Sequence, residues 1–476
     1  MLGLFGTLNL GARSLQAQQT GVEVAGQNLA NINNTAYARQ RIQLQTSLTI
    51  PTAIGPQGTG AQVVSIEQIR NTLLDGQIQA ENSVGGYWNA QQSWLQNAQT
   101  ELGQFLNQSS SSVDNTANAG SSSTAQGISD QLNGLFNAFK SLATDPSSLT
   151  ARQALVNQAQ TLASGLNQTV QRIDSLTNTL NNGIYNDAAS ANQLLAHIAD
   201  LNDQIARSEL ATGGTANDLR DLREADLEDL AKIVSFDTST ATDGSVNISI
   251  NGNPLVTGKN VVDTILVYPS GTGNVSVETA TTNQPLTMTG GSIQGALDTR
   301  ENVLDYLTLG LNNLASAVIT QVNSIYSTGY DLNGNTGGTL FTGTDARTIG
   351  VNNTVVTDPR AIQAAGVAGA PGDNSVALAL GQLSTQTVAS LYNQSFSSYY
   401  AQQIQNFGTK LSDANGQVAN YDAVNSMLLK QRDSVSGVSL EEEMTSLIMF
   451  QKAYQASSKI ITTVDQMLSI LVNLKS

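Results

Sequence analysis

The chain has 476 residues, and its 21 basic and 37 acidic residues give a formal net charge of −16, which argues against nucleic acid or an anionic membrane as a partner. It contains no cysteine, so neither disulfides nor thiolate chemistry is available. No apolar run of about eighteen residues exists, so we expect no membrane-spanning helix. The first residues lack a basic region followed by an apolar one, and we therefore expect no cleaved secretory signal.

The N-terminal segment carries apolar residues at heptad spacing. The residues that recur are Leu8, Leu15, Val22 and Leu29, with Ile32 on an adjoining face. This spacing predicts a helix with a coiled-coil seam. The seam is weak, because Gly26 costs about 1 kcal/mol relative to Ala.

Several segments of the next hundred residues have distinct patterns. Gly and Pro between residues 51 and 60 predict an exposed loop. A helical period opens at Ile66 and continues through Phe105, with a weak point at Gly85-Gly86. The tract from Ser109 to Thr124 has no period and predicts a flexible connection.

Two further helices and a charged run follow. The period from Ile128 to Leu142 predicts a helix that Asp145-Pro146 stops. The period from Leu149 to Ile205 predicts a helix of roughly 85 Å, if two internal glycines do not break it. Such a length favours a rod over a compact enzyme. Alternating charges from Asp218 to Asp229 predict a helix whose charges face solvent and whose leucines face inward.

From Ile233 the period changes to two, with hairpin turns between the runs, which predicts a small β domain at 234–290. Helical spacing returns from Gly291 to Tyr330. The segment 331–372 is rich in turn residues. Two more helices are predicted, from Leu378 to Leu391 and from Tyr399 to Gln431.

The C-terminal segment carries two apolar rows. Ser439 followed by Glu442 has the spacing of a capping box, so we expect a helix to begin there. One row contains Ala453, Ile460, Met467 and Leu474, with Ser457, Val464 and Leu471 at the complementary spacing. The other row contains Leu447, Tyr454, Ile461 and Leu468. A helix with two apolar rows needs more than one neighbour, so we expect the chain ends to pair with each other and with further copies or partner proteins.

The segment after the N-terminal helix carries a motif, Asn28-Leu-Ala-Asn31 followed by Tyr37-Ala-Arg39-Gln40. It resembles the signature N-I-A-N-x-x-T-x-G-Y-x-R-Q of the bacterial flagellar axial proteins, the rod, hook and hook-associated family. Ala36 stands where that family usually has glycine.

A second motif lies near the other end of the chain. The segments from Ser436 to Glu443 and from Phe450 to Ala456 are similar to the family elements S-G-V-x-L-D-E-E and F-Q-x-A-Y-x-A. Two motifs in the right order, one at each end, make coincidence improbable. The segments Asp145-Pro-x(5)-Arg152-Gln-Ala-Leu155 and Leu201-Asn-Asp-Gln-Ile205 look like those of the hook-associated proteins that join hook to filament.

Pattern and resemblance together predict a mainly α, elongated multi-domain rod of long helices, with terminal coiled-coil helices and a small inserted β domain. The predicted divisions are a terminal coiled-coil domain, a helical rod domain, the β insert and a loop-rich segment. The terminal coiled-coil domain comprises residues 1–36 and 437–476, and the helical rod domain comprises 37–233, 291–330 and 373–436. The β insert is 234–290, and the loop-rich segment is 331–372.

The resemblance implies a structural subunit at the junction between hook and filament, outside the cell, exported by the flagellar type III secretion apparatus. Its implied partners are copies of itself in a ring, the hook protein, the second junction protein and an export chaperone on the C-terminal helix. Its assembly interface would comprise the apolar residues of both terminal helices together with Tyr37 and Arg39. We expect no cofactor, metal, nucleic acid or membrane partner.

Residues that could support chemistry are few. Asp331-Leu-Asn333-Gly-Asn335 begins like a calcium-binding loop, but Thr336 holds the position that needs glycine. His197 is the only histidine, so a His-based zinc site cannot form. Nucleophile-elbow, phosphate-loop and dinucleotide motifs are absent from the sequence, which predicts no catalytic site.

Three other functions stay open at this point. A hook or distal rod subunit would share the terminal motifs but usually lack the long helix from Leu149 to Ile205. A secreted enzyme on a helical stalk would place acids in a concave pocket within 234–372. Nothing in the residues selects for the third, an adhesive surface protein.

Overall fold

The computed structural model describes residues 3–52, 55–106, 127–271 and 273–473. The predicted flexible tract from Ser109 to Thr124 and the seam residue Leu474 therefore lie outside the described residues. Most of the described chain is in long α-helices, as predicted.

The first helix, α1 (Leu4–Ala30), is followed by one long antiparallel hairpin. Its inner strands are β1 (Gln40–Thr46) and β4 (Ala61–Gln68), and its outer strands are β2 (Thr49–Thr52) and β3 (Gly55–Gly58). We call the described residues of this hairpin, 40–52 and 55–68, the hairpin arm.

Two predictions fail in the hairpin arm. The segment 51–60, expected to be a loop, lies largely in the outer strands, where Pro51 pairs with Pro56. The helix expected to open at Ile66 begins only at Thr72, because Ile66 pairs with Ile42 in the inner ladder. The apolar residues of this segment fit both the period of two of a strand and the spacing of a helix, so the pattern alone did not distinguish the two.

Helix α2 (Thr72–Leu106) runs without a break through Gly85-Gly86. These glycines are contact positions. A Cβ at Gly86 would lie 2.0 Å from the carbonyl oxygen of Lys232, and one at Gly85 would lie 2.2 Å from the Tyr421 ring. Because only glycine fits there, α2 can touch two other helices closely.

Helices α3 (Ile128–Thr144), α4 (Leu149–Thr212) and α5 (Asn217–Ile233) form the centre of the rod. The 64 residues of α4 span about 96 Å at 1.5 Å per residue, so the predicted long helix is confirmed. The Ser148 side chain caps its start, and Gly213 ends it at a φ of +69°.

The predicted strands lie between α5 and the next helix. Strands β5 (Asp237–Thr240), β6 (Val246–Ile250), β7 (Asn253–Thr257) and β8 (Asn260–Val261) form one antiparallel sheet, and β9 (Ile265–Gly271) pairs with β10 (Asn274–Thr279). Asn202 on α4 anchors this sheet, since its Nδ2 donates to Val246 O at 2.9 Å and Gly258 O at 2.7 Å.

The second half of the chain returns to helix. In order it contains α6 (Gly291–Thr299), a π-helical turn (Arg300–Leu304), α7 (Asp305–Tyr326), β11 (Phe341–Thr342), β12 (Gly350–Val351), α8 (Asn353–Thr357), α9 (Ser375–Gln382), α10 (Phe396–Ser436) and α11 (Leu440–Asn473). The helix expected from Leu378 to Leu391 is wrong beyond Gln382. Turns follow, and Tyr392 and Asn393 take the left-handed conformation at φ +56° and +59°.

The loop-rich segment 331–372 is packed onto the rod. The guanidinium of the fully buried Arg152 donates to Pro146 O at 2.8 Å and to Ile362 O at 2.5 Å. Leu340 and Ile362 are completely buried in the core.

Within the described residues, the main hydrophobic core extends from Leu95 to Ala414 and includes the strands of the β insert. It contains no residue of α1 or α11. The terminal helices therefore depend on other contacts for their position, and those contacts form the candidate site.

Candidate assembly site at the base of the terminal helices

Helices α1 and α11 pack directly against each other, which confirms the predicted pairing of the two chain ends. The hydroxyls of Ser14 and Ser457 are 2.9 Å apart across the contact. A Cβ at Gly11 would lie 2.9 Å from Ile461 Cγ1, and one at Gly21 would lie 2.7 Å from the Phe450 ring. Small residues that weaken an isolated helix here allow close approach of its partner.

The structure places the predicted assembly residues of α1 and its loop as follows. Half-buried are Leu8, Leu15, Val22, Leu29, Ile32 and Arg39, and Tyr37 is buried. The buried positions of α1 include Ala17, Val24, Ala25 and Asn28, and the helix packs against α11 and the inner strands of the hairpin arm. The heptad row is therefore a flank of the buried face and not its centre.

The predicted assembly residues of α11 divide into two sets. Val464 is buried, and Leu447, Ile461 and Leu468 are half-buried. Tyr454, Ile460, Met467 and Leu471 stay exposed although α1 is in place. Met449, Ile460, Met467 and Leu471 lie on one flank of the helix at helical spacing, and we call these four residues the outer stripe.

The N-terminal signature forms a buried hydrogen-bond network around Asn28, which is 1% exposed. Its Nδ2 donates to Gln40 O at 2.8 Å and to Glu443 Oε2 at 3.1 Å. Its Oδ1 accepts from the Tyr37 hydroxyl at 2.8 Å and from Gln40 N at 2.9 Å. One side chain thus joins α1, the hairpin arm and α11.

Arg39 links the two motifs through charge. Its Nη1 lies 2.6 Å from Glu442 Oε2, and its Nε lies 2.6 Å from Glu443 Oε1. Its backbone N donates to Ser436 O at 2.9 Å. The helix begins at Leu440, as the capping spacing predicted. Paired acids at the start of a helix also suit its dipole.

Gln40 extends the network to the rod. Its Nε2 donates to Asp218 Oδ1 on α5 at 2.8 Å, and Gln27 on α1 donates to the same carboxylate. Burial and the nearby carboxylates of Asp218, Asp221 and Glu443 raise the pKa of Tyr37 far above its ordinary value. Tyr37 therefore stays neutral and can donate its hydroxyl proton. We call Asn28, Tyr37, Arg39, Gln40, Asp218 and Glu443 the base network.

Ala36 takes an ordinary backbone conformation, since it is not among the residues with positive φ. Its N donates to Asn34 Oδ1 at 3.2 Å. The loop therefore does not need glycine at this position.

The prediction for the charged run of α5 holds for Leu227 and Leu230, which are buried, but it is wrong at Asp221, Leu222 and Arg223. Asp221 is 5% and Arg223 7% exposed, whereas Leu222 is 53% exposed. Asp221 accepts from Ala38 N at 3.2 Å and lies 3.2 Å from Arg70 Nη2. Arg223 donates to Asn202 Oδ1 at 2.8 Å. These charges are buried because partners from distant parts of the chain face them.

Arg70 joins three acids beneath the base network, namely Asp75, Asp221 and Glu224, at 3.2 to 3.6 Å. On α10, Arg432 pairs with Glu228. Burial raises the pKa of Asp75 and of Asp221 to about 6, although the nearby Arg70 opposes the shift in both. Both carboxyls therefore take up a proton at a higher pH than exposed carboxyls do.

A cavity of about 650 Å³ lies between the loop 31–39 and the segment 432–439. Its charged lining residues carry both signs and include Arg39, Arg70, Asp75, Arg432 and Glu442. Most of these groups already form ion pairs with one another or with α5. The arrangement suits holding segments together more than it suits acid–base chemistry.

Residues considered for chemistry take structural positions. His197 Nδ1 lies 2.6 Å from Asp226 Oδ2. Asp331 accepts backbone hydrogen bonds from Asn333 and Asn335 at 2.7 and 2.8 Å. Across the part of the chain that the structure describes, no group of three or more His, Cys, Asp or Glu could hold a metal ion. No helix among the described residues is long and apolar enough to cross a membrane.

Acids in the region 234–372 stabilise turns. Asp345 accepts from the backbone N of Arg347 and Thr348 and from the Thr348 hydroxyl, and these bonds lower its pKa. Asp263 accepts from the backbone N of Thr264 and Thr281. Because these carboxylates are occupied by hydrogen bonds within turns, they do not favour the hypothesis of a secreted enzyme on a helical stalk.

Two families match parts of the chain. Residues 118–341 match the family described as flagellar hook-associated protein FlgK helical domain. Residues 430–474 match the family described as flagellar basal body rod FlgEFG protein C-terminal.

Curated relatives agree with these matches. The chain is 26% identical to flagellar hook-associated protein 1 of Bacillus subtilis, over 99% of each chain. It is 24% identical to the protein of the same name from Escherichia coli, over 98% of this chain and 99% of that one. A stretch of 40 residues is 62% identical to flagellar hook protein FlgE of Caulobacter vibrioides, covering 8% of this chain and 7% of that one.

A solved structure has the same fold. The flagellar hook junction protein FlgK from Burkholderia pseudomallei superposes with a TM-score of 0.64 at 16% identity, over 76% of this chain and all of that one. Sequence matches along the whole chain, the two terminal motifs and this fold agree with one another. The chain is therefore similar to flagellar hook-associated protein 1 along its whole length.

Proposed function

We propose that this chain is a structural subunit of the bacterial flagellum, that it forms the junction between hook and filament, and that it assembles through its terminal helices. One observation carries the proposal. The outer stripe of α11 stays exposed after α1 and α11 have paired, with Met467 at 50% and Leu471 at 53%. Contiguous apolar surface of this kind marks a site that another chain covers.

The base network supports separate roles for the terminal helices and for the rest of the chain. It fixes α1 and α11 to α5 without adding them to the main core. The terminal domain, residues 1–36 with 437–476, would then form the inner assembling layer. The helical rod and the loop-rich segment would carry load around it, and the β insert 234–290 would face outward.

The proposed partners follow from this arrangement. Copies of the chain would form a ring, and the hook protein and the second junction protein would each bind a separate surface, because hook and filament differ in mechanical behaviour. Before assembly an export chaperone would cover the apolar flank of α11. The protein would act outside the cell after export by the flagellar secretion apparatus, and it would catalyse no reaction.

The alternative of a hook or distal rod subunit has weaker support. The match to hook protein FlgE covers 40 residues only. The family match over 118–341 is to the helical domain of the hook-associated protein, and that range includes all of α4.

A double substitution in the outer stripe, Met467→Asp with Leu471→Asp, tests the proposal. Burying an unpaired carboxylate costs several kcal/mol, so the variant should no longer bind isolated hooks in electron micrographs. Its thermal unfolding should match that of the wild type, because both residues lie outside the main core. Leu210→Asp is the matched control, since Leu210 is 89% exposed near the C-terminus of α4 and is not part of the outer stripe. Hook binding by the double variant at wild-type levels would refute the proposal.

A further inference from the structure

The hairpin arm extends beyond its contact with α1. Its inner part packs on α1, where Gly60 lies against Leu10 and the Arg13 guanidinium reaches the Ser47 hydroxyl. The outer strands β2 and β3 contact mainly each other. A two-stranded ribbon without further support is only marginally stable in water.

The arm exposes aliphatic side chains along its length. Leu48, which lies between β1 and β2, is 79% exposed, and Ile50 on β2 is 46% exposed. Leu44 and Val64 in the inner strands are also about half exposed. Isolated surface leucines are ordinary, but here four exposed aliphatic residues lie on one projecting ribbon.

The arm also has no charged side chains along its projecting edges. None of residues 42–66 is charged. Natural edge strands are usually protected by charged side chains, especially lysine, and here only prolines and a bulge between Gln43 and Leu44 serve that purpose. An uncharged projecting edge in a chain of net charge −16 indicates a surface that becomes covered.

The outer stripe of α11 has matching chemistry. From Ile460 to Asn473 the only charged residue is Asp465. The stripe and the arm lie at the same level of the terminal helix pair. Ile461 faces Gly11, and the arm meets α1 at Leu10 and Arg13, so both surfaces flank the N-terminal half of α1.

We propose that the hairpin arm of one copy packs on the outer stripe of α11 of a neighbouring copy. The two surfaces are different, so the contact is heterologous, and repeating it produces a ring or a helical array. The inner part of the arm already lies on its own α1, so its outer part is the portion available to the neighbouring copy. This inference rests on the proposed function and names the partner of the outer stripe.

The chain has no cysteine, so introduced cysteines report contacts without background. The Leu48→Cys protein is mixed with Met467→Cys or Leu471→Cys protein on isolated hooks under mild oxidation. We expect a disulfide dimer with one chain of each kind, formed only when the proteins assemble. Leu266→Cys, at a residue 40% exposed on β9, is the matched control and should give no dimer.

A second variant tests the energy of the contact. Leu48→Ser with Ile50→Ser removes two aliphatic contacts, so hook binding should weaken about 10- to 100-fold. Unchanged circular dichroism and thermal unfolding would show that the variant is folded, and Leu266→Ser is its control. Absence of the mixed dimer together with wild-type binding by the arm variant would overturn this inference. In that case, failure of the Met467→Asp with Leu471→Asp variant to bind hooks would leave the proposed function standing. Binding of hooks by that variant would refute the proposed function as well as this inference.

Discussion

Replacing Asn28 with alanine removes the side chain that holds three segments together. The substitution removes a hydrogen-bond partner from four groups, namely Gln40 N, Gln40 O, the Tyr37 hydroxyl and the Glu443 carboxylate, of which the last keeps its ion pair with Arg39. Each buried group left unsatisfied costs about 1–3 kcal/mol, and water entering from the adjacent cavity will restore some of these bonds. We expect a loss of about 3–4 kcal/mol in the free energy that closes the base network.

This loss is local, because Asn28 lies outside the main core. Hydrogen exchange measured on the Asn28→Ala protein should show protection of the Gln40 amide falling by about 10²–10³-fold. The thermal unfolding of the rod should not change. Asn33→Ala, at an exposed asparagine in the following loop, is the matched control and should leave both measurements unchanged. Equal protection of the Gln40 amide in variant and wild type would refute the role given to Asn28. Loss of the thermal unfolding transition of the rod would refute the separation of the terminal helices from the rod.

Three further predictions follow from the same contacts. Asp75 and Asp221 have pKa values raised to about 6, so the native state binds protons at these sites at a higher pH than the unfolded chain does. The free energy of unfolding should therefore rise by about 1 kcal/mol per carboxyl as the pH falls from 7 to 5. Denaturant titration should show this rise, and Asp75→Asn should reduce it; a wild type that loses stability over this interval would contradict the assignment. Gly21→Ala should weaken assembly, because a Cβ there meets the Phe450 ring at 2.7 Å. A Cβ at Gly26 has open space around it, so Gly26→Ala should favour assembly by stabilising the helix by up to about 1 kcal/mol. Equal hook binding by both variants would contradict the close packing of α1 on α11. A chain trimmed to 70–436 keeps the whole main core and should sediment as a folded monomer with a cooperative thermal transition; a trimmed chain that is unfolded would show that the rod needs its terminal helices.

The long helices were predictable because their apolar residues follow one period over many turns. Helix α4 fits this description from Leu155 to Ile205, and neither Gly165 nor Gly183 breaks it. Each of these glycines instead faces a side chain, Gln131 and Trp94 respectively. Local pattern is sufficient where burial repeats regularly along one face.

The base network was predictable only in part. The motifs identified Tyr37 and Arg39, but the acceptors that make them useful lie up to 400 residues away in sequence. Asp221 and Arg223 looked solvated because charge alternation does not reveal an opposing Arg70 or Asn202. The contacts at Gly11 and Gly21 were not predicted, since the sequence does not indicate which glycines face a partner helix.

The hairpin arm was missed for a different reason. Pro51 and Pro56 suggest a loop, yet they pair with each other at the outer end of a ribbon. Proline is tolerated where a strand edge has no partner to bond. The alternation that signals a strand was also short and was followed at once by the helical spacing of α2.

Hydrogen exchange of the whole chain, free and bound to hooks, tests the central claim most directly. We predict weak protection of residues 3–20 and 450–473 in the free subunit, because the apolar flank of α11 has no cover there, and strong protection of the same residues in the bound subunit. Strong protection of both segments in the free subunit, unchanged on binding, would show that the terminal helices need no neighbour and would contradict the account.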